Sequence, residues 1–323
     1  MKRRDFLNAI PFTALTLASG PSRAQGFPSR PITLLVGGAP GSVPDIMVRP
    51  VAERLASALG QPVLVDDRPG AAGSVAMSAL VQSPADGHTL ALATMSQAVF
   101  NAYLFGKLPY DPLRDLEPVS TLVTGAMALA AHPSFPAGSL RELVAFAKAR
   151  SEKLFVAIPQ MGSPPHIIAL LLTRAIGIEV TVVPHKSGSD AVNAVVAGEI
   201  PLLFDAPTIL SGQVRAGKLK ALVVTGTHRE PALPETPTAK ESGFDVQGEA
   251  WIGLVAPKGT PAAVVQRLNR ELTAILATSD MAALMAKLGF RTLPSTPEAF
   301  RTLIREEHVK WSGVIRDAGL KLE

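Results

Sequence analysis

The chain of 323 residues contains no cysteine. Disulfide frameworks, thiolate-held zinc or iron–sulfur centres and thiol nucleophiles are excluded together. Aromatic residues make up only 5% and charged residues 18%, so charge-rich disordered tails and coiled coils are excluded as well. No run reaches the roughly 18 consecutive apolar residues that a membrane span needs. The G-x-S-x-G elbow and the H-E-x-x-H helix are both missing. The histidines at 88, 132, 166, 185, 228 and 308 are scattered, so no metal or other cofactor is expected. Gly212 to Lys218 matches phosphate-loop spacing as far as the lysine, but Leu219 stands where such a loop needs Ser or Thr.

What is present is apolar material, at 47% of the chain. At this length that predicts two domains with sizeable cores. Pro (28) and Gly (26) are plentiful, which predicts many short turns between regular elements. The formal charge of +4 is concentrated at the start: Lys2, Arg3, Arg4 and Arg23 against Asp5. Without them the body holds 27 basic and 26 acidic residues. A nearly neutral body generates no field for nucleic acid.

That basic start reads as an export leader. Residues 1–24 run from a charged beginning through an apolar stretch (9–18) to Ser22-Arg23-Ala24, with small residues flanking a cut before Gln25. Arg3-Arg4-Asp5-Phe6-Leu7 fits the twin-arginine pattern. The mature protein is expected to be exported, soluble and periplasmic, where a large core removes the need for disulfides.

Past the leader, short apolar runs alternate with helical periodicity. Strands are expected at 32–36, 63–65 and 90–93, with helices at 43–59, at 74–82 and from Ser96. This βαβαβ rhythm implies a parallel sheet covered on both faces. It restarts with strands at 126–131, 155–158, 180–183, 202–204 and 219–225, and closes with a strand at 251–256 and a helical tail. The expected fold is α/β with two lobes joined by crossover strands. Lobe one comprises 25–123 plus 226–323, and lobe two 124–225.

In an open α/β sheet, ligands bind beyond the carboxyl ends of the strands, where helix N–H groups point. The first such loop supplies Ala39, Gly41 and Ser42, with Asp45 in the following helical turn, where an acid also offsets the helix dipole. The third supplies Thr94, Ser96 and Gln97. In lobe two come Gln160, Gly162 and Ser163 with His166 just inside a helix, then Lys186, Ser187 and Gly188, then Asp205 at a strand end. Each hydroxyl alone suits a helix cap. Together they make an edge of mainly uncharged donors, an anion clamp without a nucleophile–base pair.

A set of motifs adds to this reading: Pro28-Ser29-Arg30-Pro31-Ile32, Asp66-Asp67-Arg68-Pro69-Gly70-Ala71-Ala72-Gly73, Ala85-Asp86-Gly87-His88, Pro109-Tyr110-Asp111-Pro112, Gly162-Ser163-Pro164-Pro165-His166, Phe204-Asp205, Pro234-Glu235-Thr236-Pro237 and Trp251-Ile252-Gly253-Leu254. In this order they resemble the substrate-binding proteins of tripartite tricarboxylate transporters, the TctC or Bug family. The resemblance covers nearly the whole mature chain. It implies a type II periplasmic binding protein, a Venus flytrap closing over a small carboxylate-bearing solute, with no catalytic residue. It also implies a monomer that delivers its cargo to membrane permease subunits. A ligand-presenting module for a receptor kinase and an exported enzyme are the alternatives. The enzyme would need His166 or His185 within hydrogen-bond reach of Asp205. The chain departs from the family at Pro184-His185-Lys186-Ser187, where Pro-Tyr-Lys-Gly is common, and at Ser42-Val43-Pro44-Asp45 in the first loop.

Overall fold

The computed structural model describes residues 26–150 and 153–322. The expected leader lies outside the described residues. The chain enters on β1 (Ile32–Val36), whose apolar run is almost wholly buried, and turns into α1 (Val43–Leu59). That helix opens with Pro44, which has no amide to leave unpaired, and ends at Gly60, whose φ of 70° lets its N–H return to Ala56 O. β2 (Val63–Asp67), α2 (Ser74–Val81) and β3 (Thr89–Thr94) follow. A wide π turn, Ser96–Phe100, then runs into α3 (Asn101–Leu104).

The middle of the chain is β4 (Leu116–Ala126), β5 (Ala128–Ala131), α4 (Leu140–Lys148), β6 (Leu154–Ile158), α5 (Pro164–Ala175), β7 (Val180–Pro184), α6 (Gly188–Val196), β8 (Leu202–Asp205), α7 (Pro207–Arg215) and β9 (Lys220–Val224). It ends in β10 (Glu249–Pro257), α8 (Ala262–Leu276), α9 (Ser279–Lys287), β11 (Arg291–Thr292) and α10 (Pro297–Asp317). Two sheets result, ordered β11-β4-β10-β3-β1-β2 and β7-β6-β8-β5-β9. This is the two-lobed α/β architecture expected. Among the described residues no helix is long and apolar enough to cross a membrane.

Neither sheet is parallel throughout, and the expectation needs correcting there. β1 pairs in parallel with β2 and β3, and β6 with β7 and β8. β10 runs antiparallel to β3 and β4, and β5 antiparallel to β8 and β9. A strand that leaves a sheet and one that returns to it point in opposite senses, so crossovers insert antiparallel pairs into a parallel frame.

The crossovers meet at a buried threonine. Thr225 N–H donates to Met127 O (2.8 Å), Met127 N–H to Thr225 Oγ1 (3.0 Å), Thr225 Oγ1 to Gly248 O (2.6 Å) and Gly248 N–H to Thr225 O (3.0 Å). Residues 226–248, expected with the first lobe, are in large part laid against the second sheet. Val224 N–H donates to Pro237 O, Ala239 N–H to Val224 O and Arg141 Nε to Ser242 O. β9 is an edge strand, and its free backbone groups draw the segment onto it.

α10 ties the halves together. Trp311 packs edge-on against Phe100, with ring centroids 5.4 Å apart, and Phe300 against Trp251 at 5.2 Å. These rings belong to one apolar cluster that also takes in Leu129, Val156 and Phe204 of the second sheet. Each such side chain withdrawn from water contributes roughly 2 kcal/mol.

Candidate functional site

Parallel pairing puts the loops after β1, β2 and β3 on one edge of the first sheet. In the loop after β1, Gly41 takes a φ of 79° and its N–H donates to Asp45 Oδ2 at 2.7 Å. Asp45 is almost fully buried and pairs with Arg49 (2.7 Å), which also reaches Asp67 at the end of β2 (3.0 Å). Burial pushes the Asp45 carboxyl up, but the Gly41 amide and the Arg49 guanidinium outweigh it and hold it below the usual carboxylate range. Asp67 is pushed up by burial and by the neighbouring Asp45 charge. Asp45, expected to face a ligand, is thus engaged in fastening its own loop. Ser42 stands at the N-cap of α1, yet its hydroxyl is buried without a partner.

The loop after β3 is organised by Gln97. Its Oε1 accepts from both the amide and the hydroxyl of Thr94, each at 2.7 Å. Its carbonyl accepts from Tyr110 (2.7 Å), whose phenol is pushed up to about 12 by burial. Its Nε2 fills the space a Cβ would take on Gly37 and Gly73: ideal Cβ atoms there would lie 2.5 and 1.9 Å away. Gly73 closes the turn after β2, where Ala71 and Ala72 hold left-handed φ values of 45° and 51°. Asn101 Nδ2 steadies that turn by donating to Ala72 O (3.2 Å). Strain of this kind gathers at functional sites. Gly70-Ala71-Ala72-Gly73 was absent from the expected site; a small-residue run straight after a strand was the signal for it.

On the second sheet, Gly162 N–H donates to His166 Nδ1 at 3.0 Å. That leaves the proton on Nε2, which is buried without a partner. Burial lowers this imidazole to about 4. Ser163 lies at the cap of α5, but its hydroxyl donates to Gln160 O (2.6 Å) rather than capping. Ser187 does cap, accepting from Asp190 N–H at 3.1 Å. His185 N–H donates to Ile158 O (2.9 Å), joining the loop after β7 to the end of β6. Asp205 closes β8: Oδ1 accepts from Ala206 N–H (2.7 Å), while Oδ2 has no partner and lies 2.5 Å from where a Gly188 Cβ would stand. Burial raises this carboxyl to about 6.

The two edges touch. Ser96 Oγ donates to Gly162 O at 3.2 Å, and a Cβ on Gly162 would press on Leu104 and Leu322. The bond from Ser96 to Gly162 joins the two edges; Gly41, Thr94 and Gln97 lie on the first, and Gln160, Ser163, His166, Gly188 and Asp205 on the second. Ala39, Gly41, Gln160, Lys186 and Ser187 are exposed. No histidine hydrogen-bonds Asp205 among the described residues: His166 Nδ1 is taken by Gly162, and His185 Nδ1 meets Val183 O at 3.0 Å. The arrangement offers donors and acceptors of fixed aim, and among the described residues no histidine is paired with Asp205 to activate a nucleophile.

Comparison with known proteins shows the family and agrees with the fold. Residues 47–320 match the family described as tripartite tricarboxylate transporter family receptor. The chain is similar to protein BugT of Bordetella pertussis, with 32% identity over 315 residues covering 97% of this chain and 96% of that one. It superposes on MatC from Rhodopseudomonas palustris, solved with bound malate, at a TM-score of 0.75 and 32% identity, over 90% of this chain and 100% of MatC. R. palustris Rpa4515, solved with adipate, gives a TM-score of 0.80 and 28% identity, over 92% and 100%.

Proposed function

Because this chain belongs to the tripartite tricarboxylate transporter receptor family, whose members are periplasmic solute-binding proteins rather than enzymes, we propose that it captures a small carboxylate-bearing solute between its lobes and hands it to membrane permease subunits. The observation that carries this reading is the contact between loops of opposite sheets, Ser96 with Gly162, amid donors that are nearly all uncharged. Neutral donors suffice for an anion because fixed amides and helix N-termini need no reorganisation when it arrives.

Lobe two is drawn as 124–248 and lobe one as 25–123 with 249–323, since residues 226–248 lean on the second sheet. The crossing at Thr225 is then the hinge. Opening separates Ser96 from Gly162 and admits the solute, which stabilises the closed form only by the contacts it makes to both sides. Malate and adipate, bound by two of the similar proteins, are the first probes. Freshly purified protein is expected to carry a small anion in native mass spectrometry, or to gain thermal stability with members of a carboxylate panel. A bare mass together with no shift across the panel overturns the reading.

A further inference from the structure

The side chain of Gln97 has a determined direction. A backbone N–H can only donate, so the atom 2.7 Å from Thr94 N is the Gln97 carbonyl oxygen, and the Thr94 hydroxyl donates to the same atom at 2.7 Å. The NH2 group therefore faces the other way, into the gap between Gly37 and Gly73. Among the described residues it donates to nothing, and it is not one of the polar atoms sealed from solvent. Two N–H donors are held uncommitted where the loops after β1, β2 and β3 meet. The next residue back, Ser96, reaches across to Gly162, so this meeting point lies at the junction of the lobes. Arg49 of α1 is occupied by Asp45 and Asp67.

We propose that Gln97 is the specificity-determining residue of this site, its carboxamide NH2 presented to a carboxylate oxygen of the solute; this deepens the carboxylate reading and rests on it. An NH2 group can donate but cannot accept. An oxygen of the solute is held there, whereas an ammonium or a carboxamide NH2 in the same place meets a donor with nothing to give it. Acids and their primary amides have the same shape and differ at the atom in question, so they probe the idea directly.

The experiment is calorimetry at pH 7.5 with paired acids and amides: malate, adipate, glutamate, nicotinate and benzoate against the corresponding monoamides or amides. Wild type is expected to prefer the acid. Gln97→Glu keeps an oxygen for Thr94 but turns a carboxylate toward the solute. It should weaken the acid by about 100-fold and invert the preference toward the amide, whose NH2 the new carboxylate accepts. A residue with a purely structural role would weaken both members of each pair alike. Gln97→Met, which removes the donor without adding charge, should weaken the acid with no inversion, and serves if the glutamate variant does not fold. Wild type that binds no acid overturns the carboxylate reading and this inference with it. Wild type that binds an acid, with the glutamate variant binding it equally well or losing acid and amide alike, overturns the inference and leaves the reading standing. Unchanged acid affinity in Gln97→Met overturns the inference in the same way.

Discussion

The two edges of the junction are built on different terms. On the first sheet's side polar side chains are interlocked: Asp45 with Gly41 and Arg49, Arg49 with Asp67, Gln97 with Thr94 and Tyr110. Buried polar atoms without a partner stand on both sides: Ser42 Oγ and Asn101 Oδ1 on the first, His166 Nε2 and Asp205 Oδ2 on the second. An unsatisfied buried polar group costs on the order of 1–3 kcal/mol. The first edge is thus the more heavily cross-braced cradle, and each edge retains a deficit that a guest or an ordered water can offset. A site satisfied on every side would have nothing left to gain on closing.

Damage to the cradle should produce the largest effect. Gly73→Ala places a Cβ 1.9 Å from Gln97 Nε2 at a φ of 83°. The amide cannot swing aside without losing both bonds from Thr94. A loss of roughly 3 kcal/mol in urea unfolding is expected, and a loss under 1 kcal/mol would show that the cradle is soft.

Next come the two orphans of the second edge, through pH. Asp205 has its folded value raised to about 6 from an ordinary 3.8. Between those values the folded state holds the extra proton, so stability falls as pH rises through the window. His166 is lowered to about 4 from 6.5. There the unfolded state holds the extra proton, so stability rises with pH across nearly the same window. In wild type the two trends offset each other. Asp205→Asn should therefore tilt the profile upward with pH relative to wild type, and His166→Gln downward, each by about 3 kcal/mol between pH 4 and 7. Parallel profiles for all three proteins would remove burial as the cause.

The smallest expected effect belongs to a residue outside both arrangements. Ser187 caps α6 at the surface, and Ser187→Ala should cost about 1 kcal/mol of stability while leaving solute affinity within twofold. A clear affinity loss in that variant would enlarge the site beyond the facing edges described.

Much of this was readable in the residues. α1 begins and ends where apolar spacing, Pro44 and Gly60 place it, and Ser139 caps α4 by accepting from Glu142 N–H at 3.2 Å. The loops after β1, β3, β6 and β8 were identified because small residues and hydroxyls followed apolar runs. Other features escaped. β4 is a strand of 11 residues, only part of which had been read as a crossover, because its partner β10 lies more than a hundred residues away. Gly73, not the hydroxyl residue Ser74, stands at the cap of α2, and the Ser74 hydroxyl accepts from Asn101 at 3.2 Å. Asp45 looked available until Arg49 and the Gly41 amide were seen to occupy it.

Local chemistry by itself determined where most of the strands and helices lie, β4 excepted, that loops of small uncharged residues follow the parallel strands, and which motifs mark the family. Those properties follow from spacing and backbone preference over a few residues. Which of the singled-out side chains is free to act was decided only in three dimensions. Gln97 turns its amide toward Gly37 and Gly73 because Thr94 claims the oxygen, Asp45 is consumed by its own loop, and Asp205 is left half-satisfied beneath Gly188. The partners of Gln97 and Asp45 are near in the chain, yet which atom comes within about 3 Å of which is set only when the loop is folded. The packing of Gln97 on Gly37 and Gly73, and of Asp205 under Gly188, joins separate loops.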